Sequence, residues 1–233
     1  MRHHLQVIFS EAAMHLPCVE IETAPNPQHA VIWLHGLGAD GHDFEPIVPE
    51  LVDRAWPALR FVFPHAPVRP VTINGGMPMR AWYDITGMEI AQRQDERGIR
   101  ESLSQLDALI AREVARGVAS EKILLAGFSQ GGAIVLAGGL RHAQRLGGIV
   151  ALSTYLPLAE KTAAEVSVAN RAVPMFFAHG TFDPVVPLAL GMMSRDHLRG
   201  LGYEPEWHTY PMAHQICADE IADLRRFMGA RLA

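Results

Sequence analysis

Short runs of apolar residues alternate along the chain with longer stretches in which apolar positions recur every three or four residues. The short runs have the length and composition of buried strands: HAVIWLHG, ALRFVFPHAP, residues 121–126, GGIVALST, VPMFFAHG and EPEWHTY. The alternation predicts an α/β fold with a mostly parallel sheet and helices on both faces. In sheets of this kind, ligands bind at the carboxyl ends of the strands.

The longer stretches predict the helices. Residues 97–117 place apolar side chains on one helical face, at Ile99, Leu103, Leu106, Ile110 and Val114. Further helices are predicted in FEPIVPELVD, where Pro49 interrupts the pattern, and in AIVLAGGLRH, PLALGMMSRDHLRGLG and ADEIADLRRFMGARL.

The least regular part of the sequence runs from Pro64 to Gly98 and is rich in proline and glycine. A long irregular segment inside a compact domain is usually functional or disordered. It contains Trp82, Tyr83, Ile85 and Met88, which are too apolar to be left in water. We expect a folded flap over the active site; the alternative is a surface loop whose aromatic residues pack on the core.

Length and composition fit one soluble globular domain. The chain has 233 residues, of which 49% are hydrophobic and 19% are charged. We expect a single domain over residues 18–233, preceded by an N-terminal extension of residues 1–17. The net charge of −5 gives no reason to expect a nucleic-acid partner.

The cysteines and the N-terminus suggest the compartment. Cys18 and Cys217 are too few for a disulfide framework, which fits a reducing environment. The N-terminus lacks the continuous apolar core of a signal peptide, and no run of roughly 18 apolar residues could span a membrane. These features predict a cytoplasmic protein.

Two pairs of histidines were considered as metal ligands. His3 and His4 lie in the N-terminal extension, and His35 and His42 follow a predicted strand. Neither pair is completed by carboxylates or cysteines at a recognisable spacing, so we expect no metal and no other cofactor.

One stretch suggests a nucleophile. In LLAGFSQGGAIVL, Ser129 stands between glycines, after a predicted strand and before a predicted helix. The pattern Gly-x-Ser-x-Gly in that context is typical of a nucleophile elbow, a strained turn that exposes the serine hydroxyl above the sheet edge. The alternative is an ordinary serine in the first turn of a helix, so the other catalytic groups must also be found.

The acid and the base follow by elimination. In folds that carry a nucleophile elbow, the catalytic residues follow one another along the chain in the order serine, acid, histidine. Asp183 comes directly after the strand VPMFFAHG, whereas the other carboxylates between Ser129 and the last histidine do not follow strand ends. Downstream of Asp183, His197 lies within a predicted helix and His208 within a strand, which leaves His214 in a connecting loop. We therefore predict the triad Ser129, Asp183 and His214.

Attack by a serine on a carbonyl carbon also needs donors for the negative charge that forms on the carbonyl oxygen. The backbone N–H of Gln130 follows the nucleophile and supplies one. In WLHGLGADGHDF a predicted strand ends at His35 and Gly36, and Gly38 allows a close backbone approach, so Leu37 supplies the other.

Taken together, these segments resemble the phospholipase/carboxylesterase family of serine hydrolases, which includes bacterial carboxylesterases and acyl-protein thioesterases. The resemblance rests on LHGLGADGHDF, FPHAPVRPVTINGGMPMRAWYDI, GFSQGGAIVL, LSTYLP, HGTFDPVVP and YPMAH, in this order. It implies an α/β-hydrolase fold with the triad and the oxyanion donors predicted above. It further implies that Trp82 lines the acyl pocket and that the chain pairs as a homodimer.

We expect a serine carboxylesterase that cleaves esters of short to medium acyl chains. The predicted substrate-binding residues are apolar: Trp82, Ile85, Met88, Phe128, Val185 and Val186. The alternative within the same chemistry is an acyl-protein thioesterase or lysophospholipase that acts on long acyl chains. The alternative from another class is a catalytically silent, hydrolase-like binding protein.

Overall fold

The computed structural model describes residues 16–87 and 94–232. Met88, the histidines at positions 3 and 4 and nearly all of the N-terminal extension lie outside these described residues. Within them, seven strands form one sheet in the order β1-β3-β2-β6-β7-β8-β9. The strands are β1 (Cys18–Glu22), β2 (His29–Leu34), β3 (Leu59–Pro64), β6 (Ile123–Phe128), β7 (Gly148–Leu152), β8 (Met175–Gly180) and β9 (Glu206–Tyr210).

The sheet is parallel except at one edge, where β1 pairs with β3 in the antiparallel direction. The two remaining strands, β4 (Val68–Val71) and β5 (Met77–Arg80), form a separate antiparallel hairpin. The predicted mostly parallel sheet is thus confirmed. Three elements were not predicted from the sequence: β1, the hairpin and a short helix, α4 (Ala159–Glu165).

Successive residues of the central strands point to opposite faces of the sheet and enter two separate cores. Ile32 and Leu34 belong to the core on the face covered by α2 (Glu96–Ala115) and α3 (Gln130–Arg141). Val31 and Trp33 belong to the core on the other face, against α1 (Val48–Leu51) and α6 (Ala218–Leu232). Both faces of β2 are therefore apolar, which explains its unbroken hydrophobic run.

The remaining helix is α5 (Leu188–Gly200). In the stretch predicted as a helix interrupted at Pro49, a 3₁₀ turn (Glu45–Ile47) leads into α1, and Pro49 lies in the first turn of α1, where its missing N–H costs no hydrogen bond. Among the described residues, no helix is both long enough and apolar enough to cross a bilayer.

The irregular segment is partly a hairpin and partly core. The β4–β5 hairpin is exposed at Val68 and Met77, whereas Trp82 and Tyr83 are almost completely buried. The aromatic residues thus pack on the core, as the alternative for this segment expected. The segment then leads to the N-terminus of α2, where Asp95 caps the helix by accepting a hydrogen bond from the Gly98 N–H.

Candidate active site

Ser129 occupies a strained turn between β6 and α3. Its φ angle is +54°, in a region that residues with a side chain rarely adopt. The turn is held on both sides: the Ser129 N–H donates to the Leu152 carbonyl at 2.9 Å, and the Ser129 carbonyl accepts from the Thr154 hydroxyl at 2.7 Å. Both partners lie at the end of β7, so the neighbouring strand fixes the position of the serine.

The glycines around Ser129 allow this turn to form. A Cβ atom on Gly127 would lie 2.7 Å from the Gly132 nitrogen, and one on Gly131 would overlap the carbonyl groups of Leu34 and His35. The start of α3 therefore lies directly against β6 and the end of β2. Only glycine permits this approach, which brings Ser129 to the carboxyl edge of the sheet.

Asp183 and His214 meet at the same edge. Asp183 follows β8 and His214 follows β9, and the His214 Nδ1 lies 2.7 Å from the Asp183 Oδ2. The other oxygen, Oδ1, accepts hydrogen bonds from the N–H groups of Val185 and Val186 at 2.8 and 2.9 Å. The buried carboxylate is thus fixed by backbone donors on one side and holds the imidazole on the other.

His214 lies next to the serine turn. Its ring packs on Phe128, the residue that precedes Ser129, with ring centroids 4.7 Å apart. Because an acceptor-only carboxylate faces Nδ1, the proton is on Nδ1 and Nε2 is left as the basic nitrogen. The ring contact brings the imidazole to the residue that precedes the predicted nucleophile, and nucleophilic attack on a carbonyl requires a base at that place.

Leu37 and Gln130 also border the serine. The N–H of Gln130 is in the first turn of α3, where backbone donors have no partner within the helix. Leu37 lies in the loop after β2, which is anchored by the Gly38 N–H donating to the Arg80 carbonyl at 2.9 Å. Gly38 has a φ of +78°. A left-handed backbone conformation, rather than a close approach, is therefore the reason for glycine at this position.

His35 connects this loop to the irregular segment. Its Nδ1 donates to the Gly36 carbonyl at 2.7 Å, its Nε2 accepts from the Ala66 N–H at 3.0 Å, and its carbonyl accepts from the Trp82 indole. Burial lowers the pKa of His35 to about 4, although the bond to Gly36 acts in the opposite direction. Both ring nitrogens are thus engaged by a neutral imidazole.

A small cavity of about 50 Å³ opens beside Ser129. It is lined by Leu37, Tyr83, Ile85, Ser129, Gln130, Tyr155, Val185 and Val186. Six of these residues were predicted to belong to the site, and the fold brings them together from four separate segments. We call this space the proximal cavity.

Two of the predicted substrate-binding residues lie behind the described lining of the proximal cavity. Trp82 is 1% exposed and donates its indole N–H to the His35 carbonyl, and Phe128 packs between Phe44 and His214. In these positions they support the Leu37 loop and His214 rather than form the cavity wall. Met88, the remaining predicted residue, lies outside the described residues.

The side chain of Gln130 has a second function that sequence reasoning missed. Its Oε1 accepts from the Trp82 N–H at 2.8 Å, and its Nε2 donates to the Tyr83 carbonyl at 2.7 Å. One residue thus combines the backbone donor beside Ser129 with a side chain that holds the cavity wall.

Tyr83 and Tyr155 were also missed as cavity residues. Their position in the sequence offered a signal, since Tyr83 adjoins Trp82 and Tyr155 follows the end of β7, where ligands bind in this class of sheet. Tyr155 also borders a larger space of about 180 Å³, which we call the distal cavity. The distal cavity is lined by Gln94, Tyr155, Leu156, Ala159, Glu160, Leu190, Met193, Ser194 and His197.

No group of three or more histidine, cysteine or acidic side chains within residues 16–87 and 94–232 is arranged to hold a metal ion. His42 instead pairs with Glu45 at 2.8 Å. His35 and His42 therefore have protein partners of their own.

Comparison with known proteins places this geometry in a family. Acyl-protein thioesterase 1 of Neurospora crassa is 39% identical over 226 residues, which cover 93% of this chain and 90% of the relative. Acyl-protein thioesterase 1 of Cryptococcus neoformans is 37% identical, over 89% and 95% of the two chains.

Solved structures give the same result. The crystal structure of Arabidopsis thaliana SOBER1 superposes with a TM-score of 0.83 and 30% identity, over 88% of this chain and 99% of the other. Zea mays acyl-protein thioesterase 2 superposes with a TM-score of 0.81 and 25% identity, over 92% and 99%. The sequence profile described as phospholipase/carboxylesterase matches residues 16–232. The resemblance seen in the sequence is thereby confirmed: the chain is a serine hydrolase of the phospholipase/carboxylesterase family, with the α/β-hydrolase fold.

Proposed function

We propose that the chain hydrolyses acyl thioesters, with oxygen esters as secondary substrates. The observation that carries this proposal is the 39% identity, over 93% of the chain, to an acyl-protein thioesterase. The sequence alone favours a carboxylesterase for short to medium acyl chains, but the relatives favour the alternative, an acyl-protein thioesterase. The substrate class we infer is an acyl group bound through sulfur to a protein cysteine.

The proposed reaction starts at Ser129. Its Oγ attacks the thioester carbonyl carbon while the His214 Nε2 accepts the hydroxyl proton. The N–H groups of Leu37 and Gln130 stabilise the oxyanion. When the carbon–sulfur bond breaks, His214 returns the proton to the thiolate, and the thiol leaves. Water then attacks the acyl-serine by the same route, which releases the carboxylic acid and restores the serine hydroxyl.

Asp183 acts through His214. Its Oδ2 keeps the Nδ1 proton in place and stabilises the imidazolium that forms during the reaction. The two backbone N–H groups on Oδ1 keep the carboxylate from rotating. No separate cofactor takes part in this proposal.

The apolar cavities support an acyl group as substrate. Ile85, Val185 and Val186 line the proximal cavity, and Leu156, Leu190 and Met193 line the distal one. Tyr155 lies on the border of both, so an acyl chain attached to Ser129 points along an apolar path. Each methylene buried there contributes about 0.8 kcal/mol.

The decisive experiment compares a peptide S-octanoylated on cysteine with the same peptide O-octanoylated on serine. Each kcat/KM is divided by the rate constant for hydroxide cleavage of that substrate, because the two bonds differ in intrinsic reactivity. We expect the normalised value to favour the thioester by about tenfold, with Ser129→Ala as the blank. A preference for the oxygen ester would contradict the proposal and support a carboxylesterase function.

The binding-protein alternative is tested with a fluorophosphonate probe. Wild type should be labelled stoichiometrically and Ser129→Ala should not, since the probe reacts with an activated serine. A folded wild-type protein that resists the probe would exclude a hydrolytic role for Ser129. The predicted homodimer and the predicted cytoplasmic location rest on the sequence and remain predictions.

A further inference from the structure

Two tyrosines in the cavity wall share a hydrogen bond between their hydroxyl groups. The oxygen atoms of Tyr83 and Tyr155 are 2.7 Å apart. The two residues are 72 positions apart in sequence and only 2% and 4% exposed. The pair therefore joins the irregular segment to the end of β7 inside the protein.

The pair has more O–H donors than the described residues have acceptors for them. Burial raises the pKa of Tyr155 to about 12 and raises that of Tyr83 as well, so both hydroxyls keep their protons at neutral pH. Two hydroxyls supply two O–H donors, and the bond between them uses one. Within residues 16–87 and 94–232, neither hydroxyl has another hydrogen-bond partner. Among the described residues, one O–H donor is therefore left without an acceptor.

The spare donor belongs to residues that border the path of the acyl chain. Both tyrosines line the proximal cavity and also a recess of about 10 Å³, together with Asp84, Ile85, Thr86, Gly87 and Gln94. Because Tyr155 also borders the distal cavity, the pair lies where the proximal cavity ends.

We propose that the Tyr83–Tyr155 pair determines specificity by favouring acyl chains that carry a hydrogen-bond acceptor, such as an ether, hydroxyl or keto oxygen, beside it. A chain of methylenes alone leaves the buried O–H unpaired, which is unfavourable, whereas an oxygen at that point accepts it. The proposal rests on the proposed function, because it requires an acyl group on Ser129 that extends into the cavity.

The proximal cavity is small, about 50 Å³, so it holds only the first part of a longer acyl chain. We therefore expect a single preferred oxygen position among the fourth to the seventh atoms of the acyl chain.

The test measures kcat/KM for p-nitrophenyl octanoate and for its 4-oxa, 5-oxa, 6-oxa and 7-oxa analogues. The ratio of each analogue to octanoate is compared between wild type and the double variant Tyr83→Phe/Tyr155→Phe. Replacing both partners with apolar groups of the same shape leaves no hydroxyl unpaired, so this variant is expected to fold. Differences in chain hydrophobicity cancel in the comparison, because they are the same for both proteins.

We expect one oxygen position at which the wild-type ratio exceeds that of the double variant about five- to tenfold, with ratios close to each other elsewhere. Tyr203→Phe is the matched control. It removes a buried hydroxyl outside the proximal cavity, the distal cavity and the recess. This variant should keep the wild-type ratios for all four analogues. Equal ratios in wild type and the double variant at every position would overturn the proposal.

Two further outcomes are informative. If the double variant does not fold, a flat profile across the four analogues in wild type still overturns the proposal, and a single peak among them supports it. A wild-type protein that reacts with fluorophosphonate and cleaves octanoate but shows a flat profile refutes this inference alone. A folded wild type that neither reacts with the probe nor cleaves any ester refutes the proposed function instead.

Discussion

The serine turn and the cavity wall stand side by side but are held in different ways. The first region, which we call the catalytic edge, comprises Ser129, Asp183 and His214 and is fixed by backbone hydrogen bonds and glycine contacts at the ends of adjacent strands. The second, which we call the acyl wall, comprises residues 82–85 and Tyr155. Side-chain hydrogen bonds between segments distant in sequence hold it in place.

In the function proposed above, this difference separates the residues that carry out the reaction from those that select the substrate. Strand order and the strand-to-helix turn determine the catalytic edge, so any sequence with this fold and these residues reproduces it. The acyl wall depends on individual side chains, such as Gln130 and the tyrosine pair, and can change without disturbing the sheet. Substitutions in the first region should therefore abolish catalysis or folding, and those in the second should change substrate preference.

The largest expected effect is that of Asp183→Asn on the catalytic edge. The new amide oxygen keeps accepting from the Val185 and Val186 N–H groups, so its NH₂ faces His214 and drives the imidazole into the wrong tautomer. We expect kcat to fall about 10⁴-fold with little change in thermal stability. The matched control is Asp196→Asn on α5, where the carboxylate is exposed and pairs with Arg195. A fall of less than tenfold for Asp183→Asn would mean that another acid orients His214.

The next effect is on folding. Gly131→Ala places a Cβ atom against the carbonyls of Leu34 and His35, which are backbone atoms at the end of β2 and cannot move aside. We expect a loss of about 3 kcal/mol in the free energy of unfolding, measured by urea denaturation, because overpacking against backbone is poorly relieved. Gly200→Ala at the end of α5 meets no atom within 4 Å and should be neutral or slightly stabilising. A tolerated Gly131→Ala would show that the serine turn is adaptable.

The same division explains what the sequence could predict. The parallel strands appeared as apolar runs because both of their faces are buried. Ser129, Asp183 and His214 could be selected because each follows the carboxyl end of a parallel strand. The Gly-x-Ser-x-Gly pattern was recognisable because it reflects a local steric requirement: a Cβ atom on Gly127 or Gly131 would overlap backbone atoms. Local and periodic constraints of this kind can be recognised in a single sequence.

The acyl wall could not be predicted in this way. The bond between Tyr83 and Tyr155 joins residues 72 positions apart, and neither periodicity nor spacing indicates which distant side chains will meet. Trp82 was expected in the pocket on the basis of family resemblance, yet its indole is used to hold the His35 carbonyl. The edge strand β1 was missed because its alternating sequence, CVEIE, is short and only partly buried.

His35 contacts Trp82 of the acyl wall, and its contribution to stability should fall at acidic pH. Its pKa is lowered to about 4, below the usual 6.5, so the unfolded chain takes up a proton before the folded protein does. Stability from His35 is therefore complete above pH 6.5 and is lost as the pH falls towards 4. Protonation would turn Nε2 into a donor facing the Ala66 N–H.

We expect the difference in the free energy of unfolding between wild type and His35→Gln to decrease by about 2–3 kcal/mol from pH 7 to pH 4.5. Urea unfolding of both proteins at several pH values provides the measurement, and all other titrating groups cancel in the difference. A difference that stays constant with pH would show that His35 is not held neutral in the folded protein.

The smallest expected effect tests the boundary between the two regions, because Gln130 directly follows Ser129 and its side chain holds the acyl wall. Gln130→Met keeps the backbone N–H beside Ser129 and the approximate shape of the side chain, but it removes the bonds to the Trp82 N–H and the Tyr83 carbonyl. Two hydrogen bonds of about 1 kcal/mol each support the acyl wall, so we expect kcat/KM for an octanoyl ester to fall about tenfold.

The corresponding fall for an acetyl ester should be about twofold, since an acetyl group hardly reaches the wall. Gln105→Met on α2, where the amide lies outside the three cavities, is the control and should affect neither substrate. Equal losses for the acetyl and octanoyl esters would contradict the division. They would mean that the Gln130 side chain serves chiefly to aim its own N–H at the oxyanion, and that the acyl wall and the catalytic edge work as one unit.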